Sequence, residues 1–361
     1  MAKFIPGLQL CELFYKELVK ALIETEFHGL KYSAGLIDYG SEVLGFDAER
    51  STDYHWGPRV LLFLFPKDIT KKKLISDFLS KNLPSKFRGY STHFGNPDEI
   101  GVQLLTEAKT GQPINHRVEI HTVESFFKNY LLIDPKNDLT ASDWLTLSEQ
   151  KLRTIRSGKI FYDQLGLKQI QKKLHYFPKD VWLYMLASEW MKISQEEPFV
   201  GRCGDVKDEL GSKIIAARLV QSIMKLCFLM EKEYVPYSKW LGTAFSRLKC
   251  VKKLSPMLDK AIAAKNWKER EKYLSQAYKA IAQMHNNLKL TKPLATEVSS
   301  FHDRPYIVIH GDIFANEIKK KIKDSAVKNI SADIGSVNQL SNTVDLLEND
   351  KLLKRLEVLY Q

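Results

Sequence analysis

The run Val60-Leu61-Leu62-Phe63-Leu64-Phe65 has no polar side chain in six consecutive positions. That is strand length, and a strand apolar on both sides must be covered on both sides. The requirement excludes a sheet with one solvated face here and calls for flanking helices. The sequence supplies them. Leu10, Phe14, Leu18 and Leu22 recur every four residues, which predicts an amphipathic helix over 8–25. A second helix is predicted over 69–83, with Asp68 as its cap and Pro84 as its stop. Segments 32–37, 116–122 and 158–163 read as further strands and 143–155 as a helix, so an α+β domain of mixed sheet and flanking helices is expected to end near residue 165.

Beyond that point the pattern turns helical. Segments 181–193, 208–233, 237–248 and 267–287 show helical periodicity, with stops expected at Pro178, Pro198, Pro236 and Pro256. Leu219, Ile223, Leu226 and Met230 line one face of the longest of these. The last stretch opens on the strand-like Tyr306-Ile307-Val308-Ile309 and ends in two helical segments. The expected organisation is a mixed-sheet domain over 1–165, a mainly helical domain over 166–300, and a small C-terminal segment over 301–361 packing on the others.

Of the 361 residues, 44% are hydrophobic and 27% charged, a globular balance. No apolar run approaches the ~20 residues that span a bilayer, so no membrane partner is expected. The start Met1-Ala2-Lys3-Phe4 lacks an apolar core segment and a cleavage site for secretion. Cys11, Cys203, Cys227 and Cys250 have no paired spacing. Together these predict a cytoplasmic protein without a disulfide framework or zinc site. A net charge of +11 favours an anionic partner such as a nucleotide, RNA or a phosphorylated substrate. Lys71-Lys72-Lys73, Lys172-Lys173 and Lys319-Lys320-Lys321 read first as solvated helix faces, since no aromatic residues interleave them.

The chemistry-bearing stretch follows the 32–37 strand. Gly40-Ser41 is a small turn, and Asp53 comes twelve residues beyond Ser41. Nucleotidyl transfer needs backbone N–H groups around a triphosphate, usually at a helix N-terminus. It also needs carboxylates that hold divalent cations. Gly40 permits close backbone approach, the Ser41 hydroxyl can donate to a phosphate oxygen, and Asp53 suits the metal. On a strand, residues two apart share a face, so Asp53 is expected to point the same way as His55, and Glu119 the same way as His121. If those strands adjoin, the four converge on one cation. Taken singly, each has a plain alternative: a turn cap for Asp53, an exposed partner for Glu119, hydrogen-bonded structural roles for the histidines.

Gly40-Ser41, Asp53-Tyr54-His55 and a later Glu119 resemble the nucleotidyltransferase superfamily pattern of a Gly-Ser turn, a paired-acid strand and a third acid. More closely, the chain resembles a bacterial domain-of-unknown-function family, number 4037, grouped with those enzymes. The blocks that carry this are Gly40–Asp47, Ser51–Arg59, Gly201–Gly204 with Asp208–Ser212, Ala216–Leu219 and Tyr237–Phe245. The resemblance implies a nucleotidyltransferase-like N-terminal sheet and a helical C-terminal region. It implies that Gly40 and Ser41 contact a triphosphate, that Asp53 binds metal and that Glu119 supplies the third acid. His55 departs from the two-acid pattern, and a neutral imidazole is a softer ligand than a carboxylate. Arg218 and Lys225, seven residues apart on one helix, are further candidates for phosphate, with salt bridges to Asp208, Glu209 or Glu231 as their alternative.

The expected function is metal-dependent transfer of a nucleoside monophosphate from an NTP to an acceptor (small molecule, RNA or protein), with Mg²⁺ or Mn²⁺ held by Asp53, His55 and Glu119. Two alternatives stand beside it: a catalytically inactive nucleotide-binding or regulatory module, and a basic RNA-binding protein. A separate constellation, His310-Gly311-Asp312 with Asn316 and Asp333, resembles the catalytic loop of aminoglycoside-type kinases. It lacks a preceding glycine-rich loop and strand lysine, and Asp312 is alternatively a helix cap.

Overall fold

The computed structural model describes residues 4–52, 55–99 and 101–361. The chain forms two compact units, Met1–Asp138 with Lys151–His175, and Leu139–Gln150 with Tyr176–Gln361. The architecture is mixed α+β, with a four-stranded mixed sheet in the first unit and a mainly helical second unit.

The sheet strands are β1 (Tyr32–Leu36), β2 (Arg59–Leu64), β3 (Arg117–Thr122) and β4 (Lys159–Tyr162), in the order β3-β2-β1-β4. β1 is antiparallel to β2 and to β4, whereas β2 and β3 run parallel. β1 and β2 are the central strands, and every residue of both is buried. The apolar run therefore sits where two-sided covering is available.

A continuous helical stretch from Gly7 to Glu26 packs on this sheet. Its buried residues begin at Leu10 and Phe14 as predicted, then shift to Tyr15, Val19 and Ile23, leaving Leu18 and Leu22 half-buried. The cause is a π-helical turn over Tyr15–Val19, which takes up an extra residue and rotates the apolar face by one position. The predicted 69–83 helix runs over Lys72–Asn82, preceded by a 3₁₀ stretch, Pro66–Lys71. Asp68 lies inside that stretch and pairs with Lys71 at 2.8 Å rather than capping the helix. The 143–155 helix is two helices, Ala141–Thr146 and Glu149–Ser157, because Leu147 adopts extended backbone between them. β3 runs directly into a helix, Val123–Leu131, that the periodicity did not reveal. Its start is a reciprocal cap between Thr122 and Ser125, a signal carried by two residues only.

In the second unit the long helices are Lys179–Glu196, Glu209–Glu231 and Trp267–Asn287. Leu219, Ile223, Leu226 and Met230 are all buried, as their spacing predicts. Pro256 does not stop a helix. It lies inside Val251–Ala263, and both it and Lys252, whose carbonyl loses its i+4 donor, lie on the exposed side. The 237–248 segment is a 3₁₀ turn, Ser238–Trp240, and a short helix, Leu241–Phe245. Arg304–Val308 is a strand, paired antiparallel with Ser299–Phe301. Residues 301–361 are part of the second unit.

Gly158 joins the Glu149–Ser157 helix to β4. A Cβ there would collide with the Leu36 carbonyl and stand 2.7 Å from Ile37 Cα and 2.9 Å from the Thr154 carbonyl oxygen. All three are backbone and none can swing away. Gly158→Ala is expected to destabilise the first unit by about 2–4 kcal/mol, as forced overpacking of a closely packed core does. Urea unfolding measures this, and a loss below about 0.5 kcal/mol would show that the crossing has room.

Candidate functional site

The topology determines what meets at one end of the sheet. β1 runs antiparallel to β2, so its exit, Asp38-Tyr39-Gly40-Ser41, lies beside the first residue of β2. The parallel β3 starts at the same level, and the register pairs Arg59 directly with Arg117. Two guanidinium groups are thereby fixed side by side beneath the Gly-Ser turn. Arg59 is 2% and Arg117 7% exposed.

Buried charges need partners. Arg59 Nη2 donates to Glu42 Oε1 at 2.5 Å and to the Tyr39 carbonyl at 2.8 Å, and Nη1 stands 3.6 Å from Asp38 Oδ2. Burial works against the charge on Arg59, but Asp38 and Glu42 outweigh it and hold the group protonated. Burial also pushes the Asp38 carboxyl up to about 6, against the pull of Arg59. Among the described residues, Asp38 Oδ1 and Arg59 Nε find no hydrogen-bond partner, though both are buried. Arg117 donates through Nε and Nη2 to Glu119 Oε1 at 3.2 and 2.7 Å, and through Nη2 to the Tyr39 hydroxyl at 2.5 Å. Its Nη1 lies 2.9 Å from His55 Nδ1. Burial opposes ionisation of Glu119, but His121 and Arg117 hold its carboxyl at about 2. Burial and then the two arginines lower the His55 pKa, so its ring is neutral and Nδ1 accepts from Arg117.

The turn itself is locally built. Gly40 has φ +134°, and a Cβ there would collide with the Glu42 carboxylate. Residues 41–45 form successive turns rather than a helix N-terminus. The Leu44, Gly45 and Phe46 amides are used inside the turn, on the Gly40, Glu42 and Ser41 carbonyls. Asp47 Oδ2 then accepts from the Gly7 amide at 2.7 Å and from Trp56 Nε1 at 3.0 Å, tying the excursion to the first helix.

Asp53 lies outside the described residues. His55 is not on a strand: it sits in a bend at φ 50°, and β2 begins only at Arg59. Gly57 at φ +145° and Pro58, which has no N–H, keep the ladder from extending upstream. The shared strand face expected for positions 53 and 55 is therefore absent at His55. Glu119 and His121 do share a face of β3, with His121 Nε2 3.7 Å from Glu119 Oε2. His55 and His121 thus both reach the Arg117–Glu119 pair. Among the described residues, no group of three or more His, Cys, Asp or Glu side chains is arranged to hold a metal ion. The Glu42 and Glu119 carboxylates already face guanidinium groups, so the described residues do not fit a divalent cation. The residues that spacing did not single out are Asp38, Tyr39, Glu42, Arg59 and Arg117. The signal for the two arginines is that each heads a strand, the apolar β2 and the alternating β3.

Arg218 and Lys225 belong to the second unit and have partners there. Arg218 pairs with Glu196, not with Asp208, Glu209 or Glu231. Lys225 is buried, and its Nζ donates to the Asn338 carbonyl at 2.7 Å and to Asn342 Oδ1 at 3.2 Å. Burial lowers its pKa, with Glu189 opposing. It ties the C-terminal segment to the longest helix.

Two of the kinase-like residues, His310 and Asp333, also have structural partners. His310, at φ 58°, precedes the Gly311–Lys319 helix, with its Nε2 2.7 Å from Ser299 Oγ. Asp312 does not cap that helix. The buried Glu197 accepts from the Ile309 and Gly311 amides at 2.6 and 3.1 Å. Asp333 is held by Lys319 at 2.7 Å.

Residues 144–241 match the model of a domain of unknown function (DUF4037). The matched stretch includes parts of both units. No curated protein matches the chain.

Two measurements test these electrostatics. Arg59→Met leaves Asp38 and Glu42 buried without their cation and should destabilise the first unit by about 3–5 kcal/mol. Urea unfolding decides it, since a loss under about 1 kcal/mol would mean that the carboxylates find other partners. Burial pushes the Glu197 carboxyl up to about 7, against its backbone hydrogen bonds and with Asp312 adding to the rise. Its folded pKa thus exceeds the unfolded value of about 4.3. Its contribution is full below that value and is lost as pH rises through about 7. The stability of wild type minus that of Glu197→Gln should therefore fall between pH 5 and pH 8, by up to roughly 3 kcal/mol. A difference that stays flat would place Glu197 in water, and one that rises with pH would mean that its hydrogen bonds favour the carboxylate.

Proposed function

We propose that the first unit is a nucleotide-binding module that holds phosphate without a divalent cation and does not transfer a nucleotidyl group. The ligand class comes from the likeness of Gly40-Ser41, Asp53 and Glu119 to the nucleotidyltransferase pattern. A mixed sheet that sets Glu119 on the strand next to β2 is compatible with that likeness.

The observation that carries the proposal is the position of Arg117. It lies among His55, Tyr39 and Glu119, and so occupies two of the three side chains expected to hold the cation. A guanidinium neutralises the neighbouring carboxylate and presents N–H donors, but it cannot lower the pKa of an attacking hydroxyl as a bound metal does. A neutral His55 agrees with this, because its Nδ1 lone pair is used on Arg117. Tyr39 is 41% exposed beside the turn, with its ring edge-on to His55. That is a surface on which a base can stack.

One observation favours transfer instead. Asp38 is a buried carboxylate with one oxygen unpartnered among the described residues, close enough to Glu119 for the two charges to interact. Binding of a fluorescent ATP analogue, followed by anisotropy in EDTA and in Mg²⁺ or Mn²⁺, separates the two. The module should bind with affinities within about threefold in all three buffers. Arg117→Ala should weaken binding by at least about tenfold, or 1.4 kcal/mol. Neither wild type nor His55→Asp should release pyrophosphate. Metal-dependent pyrophosphate release that disappears in Asp53→Asn would overturn the proposal in favour of transfer.

A further inference from the structure

The four cysteines carry no paired spacing in sequence, yet two of them meet in the second unit. Cys227 is buried in the last turns of the Glu209–Glu231 helix, and Cys250 immediately precedes the Val251–Ala263 helix. Glu231 lies four residues after Cys227, on the same helix face. Its carboxylate accepts from the Lys249 amide at 2.8 Å and the Cys250 amide at 2.9 Å. Those two bonds fix the Cys250 backbone against the face that carries Cys227. The Cys250 side chain is thereby a near neighbour of the Cys227 thiol and contributes to raising its pKa.

We propose that Cys227 and Cys250 form a dithiol site that peroxide oxidises to an intramolecular disulfide. Cys250 is partly exposed and Cys227 is not. Burial, the neighbouring Cys250 side chain and the Glu231 charge all keep the Cys227 thiol protonated, so Cys250 reacts first. Its sulfur attacks one peroxide oxygen, the O–O bond breaks, and the departing hydroxide leaves as water with the thiol proton. That gives a sulfenic acid at Cys250. The Cys227 sulfur then attacks the Cys250 sulfur. The S–O bond breaks, and hydroxide leaves as a second water with the Cys227 proton. The sulfur pair has lost two electrons and one peroxide has become two waters.

The bridge would close the chain between the two helices. That loop supplies Val235, Tyr237 and Leu241 to the cleft over Lys225, so oxidation would restrain one wall of it.

The experiment uses the full chain, purified reduced and freed of reductant. The folded protein is treated with hydrogen peroxide, alkylated, and mapped by mass spectrometry. The expected product is a Cys227–Cys250 linked peptide, lighter by the two thiol hydrogens and restored by dithiothreitol, with Cys11 still alkylated after unfolding. Cys203, also partly exposed, is the internal control for non-specific oxidation. In Cys250→Ser, peroxide should leave Cys227 intact. In Cys227→Ser, Cys250 should proceed to the sulfinic acid. The mapping of wild type stands even if the buried Cys227→Ser variant fails to fold. Two results would overturn the proposal: Cys250 over-oxidised while Cys227 stays free, or linkages appearing only between molecules or through Cys203.

Discussion

The first unit depends on a cation buried at the start of its central strand. Arg59 opens an otherwise apolar strand, and its guanidinium reaches sideways to Asp38 and Glu42, the residues by which β1 leaves the sheet. A buried ion pair of this kind adds little net stability, but removing one partner leaves an uncompensated charge. Its main consequence is positional. It fixes the Gly40-Ser41 turn over the sheet end, because Glu42 closes back beneath Gly40. The register of β2 with β3 then brings Arg117 alongside, and Arg117 in turn orients His55, Tyr39 and Glu119. Each later feature of the candidate site hangs on that first pair.

What was legible in the sequence follows from periodicity and burial. The continuous apolar run marked a central strand, and the four-residue recurrences marked the long helices, because both patterns reflect packing that repeats along an element. What escaped was set by single residues. A π turn at Tyr15–Val19 moves the buried face of the first helix without altering its composition. Gly57 and Pro58 delay the start of β2 and lift His55 off the strand. Arg59 and Arg117 were passed over because the pattern in view was one of acids, and nothing in the spacing says that an arginine at a strand start points at its neighbours.

The second unit shows the same limit. Helical spacing placed Arg218 and Lys225 seven residues apart on one helix, a true statement about direction. Their partners, Glu196 for one and the Asn338–Asn342 segment for the other, come from chain far away in sequence. Exposed-looking cations in a basic protein are easily read as ligand contacts. Lys225 is instead a buried tie whose ammonium is satisfied by a carbonyl and an amide oxygen, and its lowered pKa is the consequence of burial.

His55 and Arg117 are best understood as one unit. Among the described residues the cluster already holds three carboxylates, Asp38, Glu42 and Glu119, against two guanidinium groups, and burial with the neighbouring Glu119 and Glu42 charges raises the Asp38 pKa. An acid at position 55 would add a fourth negative charge within reach of Arg117 and compete with Glu119 for it. A neutral imidazole avoids both effects. It accepts one N–H from Arg117 and leaves the charge balance unchanged. The departure from the two-acid pattern at position 55 and the arginine at position 117 are therefore two sides of one electrostatic choice. Changing either alone leaves a buried donor or a buried charge without its partner.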